Sequence, residues 1–195
     1  MSGAALVFDG HGNTTTLADQ TLAYDVADRH LKTTITGGPS SGAIITYTRD
    51  ATGRIAQRVE TPSGGGIATT TRYTYAGAGD EAYAILDTSN VRVQRMLSLP
   101  GGVTVTVDAA AAWEWFYPNL HGDNIYTPSD PTVLRSYDPF GQSIDPVTGN
   151  IGTVTADDAG PDTAAGNADY GWVGQHSKIT EHHDSIATIE MGARQ

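Results

Sequence analysis

The 195-residue sequence has no cysteine, which excludes a disulfide framework and thiolate metal sites. It has no long apolar run, so no stretch carries the pattern of a bilayer-crossing helix. Blocks of the strong helix formers Ala, Leu, Glu and Lys are missing, and only 17% of residues are charged. Basic residues are scarce: 11 Lys and Arg face 22 Asp and Glu, a formal net charge of −11. The imbalance lies almost wholly in the second half, with 8 basic and 9 acidic residues in 1–100 against 3 and 13 in 101–195. An acidic surface without a Lys/Arg cluster repels phosphate backbones, which argues against nucleic acid and anionic membrane surfaces as partners. The opening MSGAALVFDGHGN lacks a basic n-region and does not read as a signal peptide, so the chain expressed alone is expected in the cytoplasm.

What is present is glycine, 23 of 195, together with frequent Thr, Val, Ile and Tyr. That composition predicts an all-β fold of strands joined by glycine turns. The stretch YDPFGQSIDPVTG, 137–149, has earlier counterparts in Phe8-Asp9-Gly10-His11-Gly12-Asn13, in Tyr24-Asp25-Val26-Ala27-Asp28-Arg29 and in Tyr47 to Ile55. Tyr73-Thr74-Tyr75-Ala76-Gly77 reads as a weaker fourth copy. Leading aromatics 16, 23 and 26 residues apart are too irregular for a strict solenoid and fit strand-turn-strand units with unequal loops. In IITYTRD and RIAQRVE the alternation predicts paired strands, with Asp50, Gly53 and Arg54 at the turn. Such a hairpin cannot cover its own apolar face, so units must stack.

Two further strands are expected at about 91–99 and 102–107 around Pro100-Gly101-Gly102, then a third carrying Trp113, Trp115 and Tyr117 on one face. Three aromatics on one strand face read as the buried side, the other reading being an exposed platform for stacking sugars. Residues 152–169 are small, acidic and aperiodic and read as a surface loop. SIATIEMGARQ reads as a strand whose partner or sequel is missing.

Candidate chemistry is thin. Gly77-Ala78-Gly79-Asp80-Glu81-Ala82 matches G-x-G-x-x-A, but RYTYA ahead of it is half polar, and Asp80 with Glu81 would oppose a pyrophosphate, so a plain glycine loop is expected. Adjacent His182 and His183 point to different sides, and His121 with Asp123 lacks a third ligand, so no metal is expected. Asp138 and Asp145 each precede proline and read as turn openers rather than a catalytic carboxylate pair. No G-x-S-x-G or phosphate-binding loop signature occurs, and neither a cofactor nor a catalytic residue is assigned.

The Tyr-Asp-x-x-Gly-Arg units resemble the YD repeats of the Rhs (rearrangement hotspot) family. The blocks LPGGVTVTV, WFYPNLHGDNIYT, YDPFGQSIDPVTGNIG, DYGWVGQHSK and SIATIEMGAR resemble, in order, the Rhs repeat-associated core region of actinobacterial-type members. The resemblance implies degenerate YD repeats over 1–90, a core-associated region over 91–195, and an irregular strand-turn-strand fold forming an open part of a spiral β-shell. It implies a structural, non-enzymatic role in enclosing or presenting a toxin, with the rest of an Rhs polypeptide and its cargo as partners and a secreted or cell-surface parent. The family's Met-Gly-Ala-Arg block continues into Tyr-x-Pro-x-x-Gly-Arg-Phe, which this sequence does not reach. It therefore reads as a C-terminally truncated fragment, expected to self-associate when isolated. Tyr24, Asp25, Tyr47, Gly53, Arg54, Tyr75, Tyr137, Asp138 and Gly141 are expected to carry packing and turns. The other functional reading is a cell-surface carbohydrate-binding module using Trp113, Trp115 and Tyr117.

Overall fold

The computed structural model describes residues 5–77, 79–151, 169–176, 178–183 and 186–189. Among them there is no α-helix, only single 3-10 turns at Ser63–Gly65 and Gly174–His176. Twelve strands follow in chain order: β1 (Leu6–Phe8), β2 (Thr14–Leu17), β3 (Gln20–Tyr24), β4 (His30–Ile35), β5 (Ile44–Arg49), β6 (Ile55–Thr61), β7 (Thr69–Thr74), β8 (Ala84–Leu86), β9 (Arg92–Ser98), β10 (Thr104–Asp108), β11 (Trp113–Pro118) and β12 (Asn124–Tyr126). Each pairs antiparallel with the next, so the sheet is an open meander whose spatial order is its sequence order. A separate hairpin pairs β13 (Thr180–His183) with β14 (Ile186–Ile189). The expected all-β, strand-turn-strand architecture is what forms. The tail strand, read as lacking a partner, has one in β13. The acidic loop at 152–169 falls outside the described residues except for Asp169.

Ladder partners share a face, which fixes what the meander covers. Leu22 lies opposite Thr33 and Thr33 opposite Ile45; Tyr47 lies opposite Arg58 and Arg58 opposite Thr71. Tyr73 lies opposite Ile85, Ile85 opposite Gln94, and Met96 opposite Thr106. This covered face is mixed rather than oily. Ile35, Ile45, Tyr73, Ile85 and Met96 form its core, yet Gln20, Thr33, Arg58, Thr71 and Gln94 are buried on it too. Tyr170 and Ile179, from beyond the meander, join the same core and close over it.

One turn recurs along the sheet. It starts at Asp9, Asp25, Asp50, Asp87, Asp108, Asn119 and Asp138, and in each the first amide donates to the carbonyl four residues on while the fourth amide donates back to the first carbonyl. The first side chain then accepts from the amide of the fifth residue: Asn13 at 2.9 Å, Arg29 at 3.0 Å, Arg54 at 3.0 Å, Val91 at 2.9 Å, Ala112 at 2.8 Å, Asp123 at 3.1 Å and Gln142 at 2.9 Å. Asp and Asn carry a side-chain acceptor at the length that satisfies these amides from within the turn, which Ser and Thr do more weakly. The fourth residue always has positive φ, from 58° at Asp28 to 98° at Gly122. Glycine takes that conformation without strain, and Asp, Asn and even Ala fill it here. The copy read at Tyr73 to Gly77 is not one of these turns. Tyr73 belongs to β7, Tyr75 follows its last residue, and the glycine opens a longer loop to β8.

Candidate functional site

The repeat-motif residues form a connected system. A register shift sits in the strand pairs flanking the turns at Asp9, Asp25, Asp50, Asp87 and Asn119. A bulge takes a backbone group out of the ladder, and that group needs another partner. At four of these places the carbonyl five residues after the turn's first residue meets a side chain from a later strand or turn. Tyr24 Oη donates to the Thr14 carbonyl at 2.9 Å, Tyr75 Oη to Ile55 at 2.7 Å, Tyr137 Oη to Asn124 at 3.0 Å, and Arg49 Nε to His30 at 3.2 Å. In three of the four the donor, Tyr24, Arg49 or Tyr137, immediately precedes the next such turn. The tyrosine of the Tyr-Asp pair thus ties its own turn to the one before, while the aspartate closes its own loop. Sequence reading had assigned packing to these tyrosines but had no signal for the carbonyls they meet.

The two Arg-bearing turns add a charge. Arg29 and Arg54 reach back to Asp25 and Asp50 with Nη2 at 2.6 and 2.7 Å from the carboxylates. The Arg29 side chain and amide hold the Asp25 carboxyl at about 2. At Asp50 burial opposes ionisation, and hydrogen bonds from Thr52 and Arg54 overcome it, leaving that carboxyl at about 2 as well. Arg54 also lies 4.1 Å from the Tyr75 ring centre and donates to the carbonyls of Gly77 and Gly79 at 2.7 and 2.9 Å. The glycine loop that matches G-x-G-x-x-A therefore turns carbonyls toward a cation, the opposite of an amide cradle for phosphate. Beside it lies an open depression of about 450 Å³ lined by Gly79, Asp80, Glu81, Gln175, His176 and Lys178, across which Lys178 Nζ pairs with Asp80 at 3.0 Å.

The aromatic stripe is on the other side from where its bulk placed it. Trp113, Trp115 and Tyr117 alternate with Phe116, and it is Phe116 that enters the core at 1% exposure, while the three keep 58%, 36% and 39%. Register fixes the parity: Phe116 and Glu114 lie opposite the buried Thr104 and Thr106, whereas Trp113 and Trp115 lie opposite Val107 and Val105 on the other face, where Val105 is fully buried while the indoles keep their exposure. The two indoles stack 6.4 Å apart at 27° between planes, and Tyr117 leans on Tyr126 at 6.0 Å.

Beneath Tyr170 and Ile179 lies a polar cluster. Glu181 accepts from Tyr47 Oη at 2.7 Å and from Arg58 Nε at 2.8 Å, and Arg58 Nη1 lies 2.8 Å from Glu60. Arg58 and Glu181 are both almost wholly buried. Burial opposes the Arg58 charge, and Glu181 more than restores it, so its pKa is raised. Behind Tyr47, with ring centres 4.9 Å apart, His30 is fully buried, and burial pushes its pKa down to about 4. No sequence pattern pointed to this cluster, because 134 positions separate Tyr47 from Glu181.

The remaining histidine candidate pairs the exposed His121 with the buried Asp123. His121 Nδ1 lies 2.8 Å from Asp123 Oδ1, which also accepts from the Val173 amide at 2.9 Å. The described residues hold no group of three metal-ligating side chains. The His182 and His183 backbones fall in β13.

No protein-family model matches the sequence, and no curated protein does. Solved structures do. A TcdB2-TccC3-Cdc42 crystal structure aligns with TM-score 0.50 and 14% identity over 88% of this chain and 9% of that one. A TcdB2-TccC3 crystal structure gives 0.49 and 15% over 88% and 10%, and the Photorhabdus luminescens Tc holotoxin pore 0.48 and 14% over 88% and 9%. The chain therefore spans about a tenth of the length of the chains it matches. At this identity the likeness is one of fold, shared with a part of the chain in the TcdB2-TccC3-Cdc42 structure.

Proposed function

We propose that the chain is a structural, non-enzymatic segment of an Rhs/YD-repeat shell that encloses or presents a toxin segment of its parent polypeptide. The observation that carries this reading is the sevenfold use of one turn, tied at four of them to a later unit by tyrosine or arginine, in a sheet whose covered face mixes apolar and polar side chains. A wall of that kind grows by adding units and lines a space with both chemistries; an enzyme pocket needs convergent reactive groups instead. The fold likeness to a TcdB2-TccC3 chain supports it. The actinobacterial type and the secreted or surface location of the parent belong to the same proposal. The test is protease protection of the polypeptide encoded by the whole reading frame. Sequence downstream of the chain is expected to resist protease while the shell is intact and to be cut once residues 14–61 are deleted; equal resistance in both would sink the reading. Alone, the chain is expected to self-associate, because Leu6, Val7 and Phe8 on the edge strand are each at least half exposed. A single monomeric species by light scattering across a hundredfold dilution, roughly the range over which weak strand pairing would dissociate, would count against that expectation.

A second reading is favoured by the exposure of the Trp113, Trp115 and Tyr117 stripe: a carbohydrate platform. Indole fluorescence should then be perturbed by a soluble polysaccharide, and the response should vanish in Trp113→Ala/Trp115→Ala. Emission indifferent to every glycan tried removes this reading and leaves the shell proposal untouched.

A further inference from the structure

The segment DYGWVGQHSKITE buries two apolar side chains, Tyr170 and Ile179, and one acid, Glu181, and at its surface Lys178 pairs with Asp80 and Trp172 leans on His121. Its first mooring is the turn between β11 and β12. There the Asn124 amide donates to the Gly171 carbonyl at 2.9 Å, Asn124 Nδ2 to the Tyr170 carbonyl at 2.6 Å, and the Gln175 amide to the Gly122 carbonyl at 3.0 Å. A Cβ on Gly174 would collide with the Asn124 side chain, so the approach is close. The second mooring is far along the sheet, where Glu181 fits between Tyr47 on β5 and Arg58 on β6. Between the moorings, Tyr170 and Ile179 lie over the covered face.

None of the twelve ladder strands pairs with this segment. Its described strand hydrogen bonds run to β14, and an isolated bridge joins Asp169 to Thr180 within it. It can therefore lift away without breaking a rung of the sheet. At the second mooring one carboxylate, Glu181, accepts from both Tyr47 and Arg58. An ion pair this buried is lost steeply when either partner is neutralised, since the other charge is left in a poor medium. The charged and titratable groups around the carboxylate are Tyr47 and Arg58 in contact, Glu60 on Arg58, His30 behind Tyr47, and Tyr73 farther along the face.

We propose that residues 169–176 and 178–183 are a releasable strap that opens as a unit separate from the sheet, with the contact of Glu181 to Arg58 and Tyr47 as its clasp. Opening uncovers the mixed face of β5 to β9. The proposal holds whether or not the sheet is part of a shell, since it concerns only how the chain covers itself.

Hydrogen exchange on the whole chain tests it. In Glu181→Gln the strap amides of Val173, Gln175 and Thr180 are expected to exchange at least about tenfold faster while the β5 and β6 ladder amides keep their protection, as separate opening units do. Unchanged strap protection overturns the clasp; loss of protection throughout, or failure of the variant to fold, overturns the separateness. The unmodified chain gives a second reading in sub-denaturing urea. Strap amides should merge into exchange at lower urea than ladder amides, and a single common isotherm would refute the proposal. The double replacement Arg58→Met/Glu181→Met should fold with a protected strap, and a freely exchanging strap on an intact sheet would show that the clasp is not at this position.

Discussion

The hairpins at Asp50 and Asp108 use the same backbone turn and almost opposite chemistry. At Asp50 the carboxylate takes the amides of Thr52 and Arg54, the Thr52 hydroxyl and the Arg54 guanidinium, and the fourth residue is Gly53 at φ 91°. The flanking strands are bulged, and Tyr75 meets the carbonyl released there. At Asp108 the side chain takes one amide, that of Ala112, the left-handed position is filled by Ala111 at φ 63°, and the β10 to β11 ladder runs without a register shift. The turn is thus set by the short acceptor at its first position and by backbone geometry. The arginine, glycine and tyrosine of the full motif serve the bulge and the link to the neighbouring unit.

The comparison can be broken at several points. The largest expected effect comes from the covered face beside the Asp50 hairpin. His30 has a folded pKa of about 4 against an unfolded value of about 6.5. Its neutral form is the one the fold holds. As pH falls from about 6.5 to about 4 the unfolded chain takes up the proton first, so roughly 3 kcal/mol of stability is lost over that window and no more from this group below it. Urea denaturation at pH 7 and pH 4.5 checks this, and His30→Gln should flatten the difference. Asp25 and Asp50, with folded values of about 2, contribute stability that fades only at lower pH, as the medium passes below about 4 toward 2.

Asp50→Ala comes next. It strands two amides and a guanidinium and is expected to cost about 2 to 3 kcal/mol in urea denaturation, against about 1 kcal/mol or less for Asp108→Ala. Equal costs would mean that the arginine and hydroxyl contacts at Asp50 add nothing. The left-handed position gives smaller effects of opposite sign. A Cβ on Gly53 meets open space, so Gly53→Ala is a test of backbone strain alone, at about 1 kcal/mol lost. Ala111→Gly should instead gain a few tenths to about 1 kcal/mol by relieving the same strain, read as a rise in melting temperature.

The fold class and four of the turns, at Asp9, Asp25, Asp50 and Asp138, were legible because they rest on local chemistry: an aromatic or arginine ahead of an aspartate acceptor, glycine at the fourth position in three of them, alternation in between. The turns at Asp87, Asp108 and Asn119 were not, since Asn90, Ala111 and a leading asparagine hide the pattern that Asp-x-x-Gly advertises. The aromatic stripe was placed on the wrong side for an instructive reason. Counting apolar bulk picks Trp113, Trp115 and Tyr117 as the buried set, but the face that the meander covers is half polar, so bulk is a poor guide to which parity points in. Thr104 and Thr106 on the neighbouring strand decide it through register.

The sequence by itself determined that this chain is a run of β units joined by self-closing turns, since each turn satisfies its own backbone within five residues. It also determined the acidic, cysteine-free character that removes whole classes of chemistry. Only the tertiary structure decided which face is covered, which carbonyl each tyrosine meets, and that Glu181 seats between Tyr47 and Arg58. Those pairings join residues ten to more than a hundred positions apart, and no local propensity encodes them; they follow from strand register summed across the sheet and from the path of the segment that crosses it.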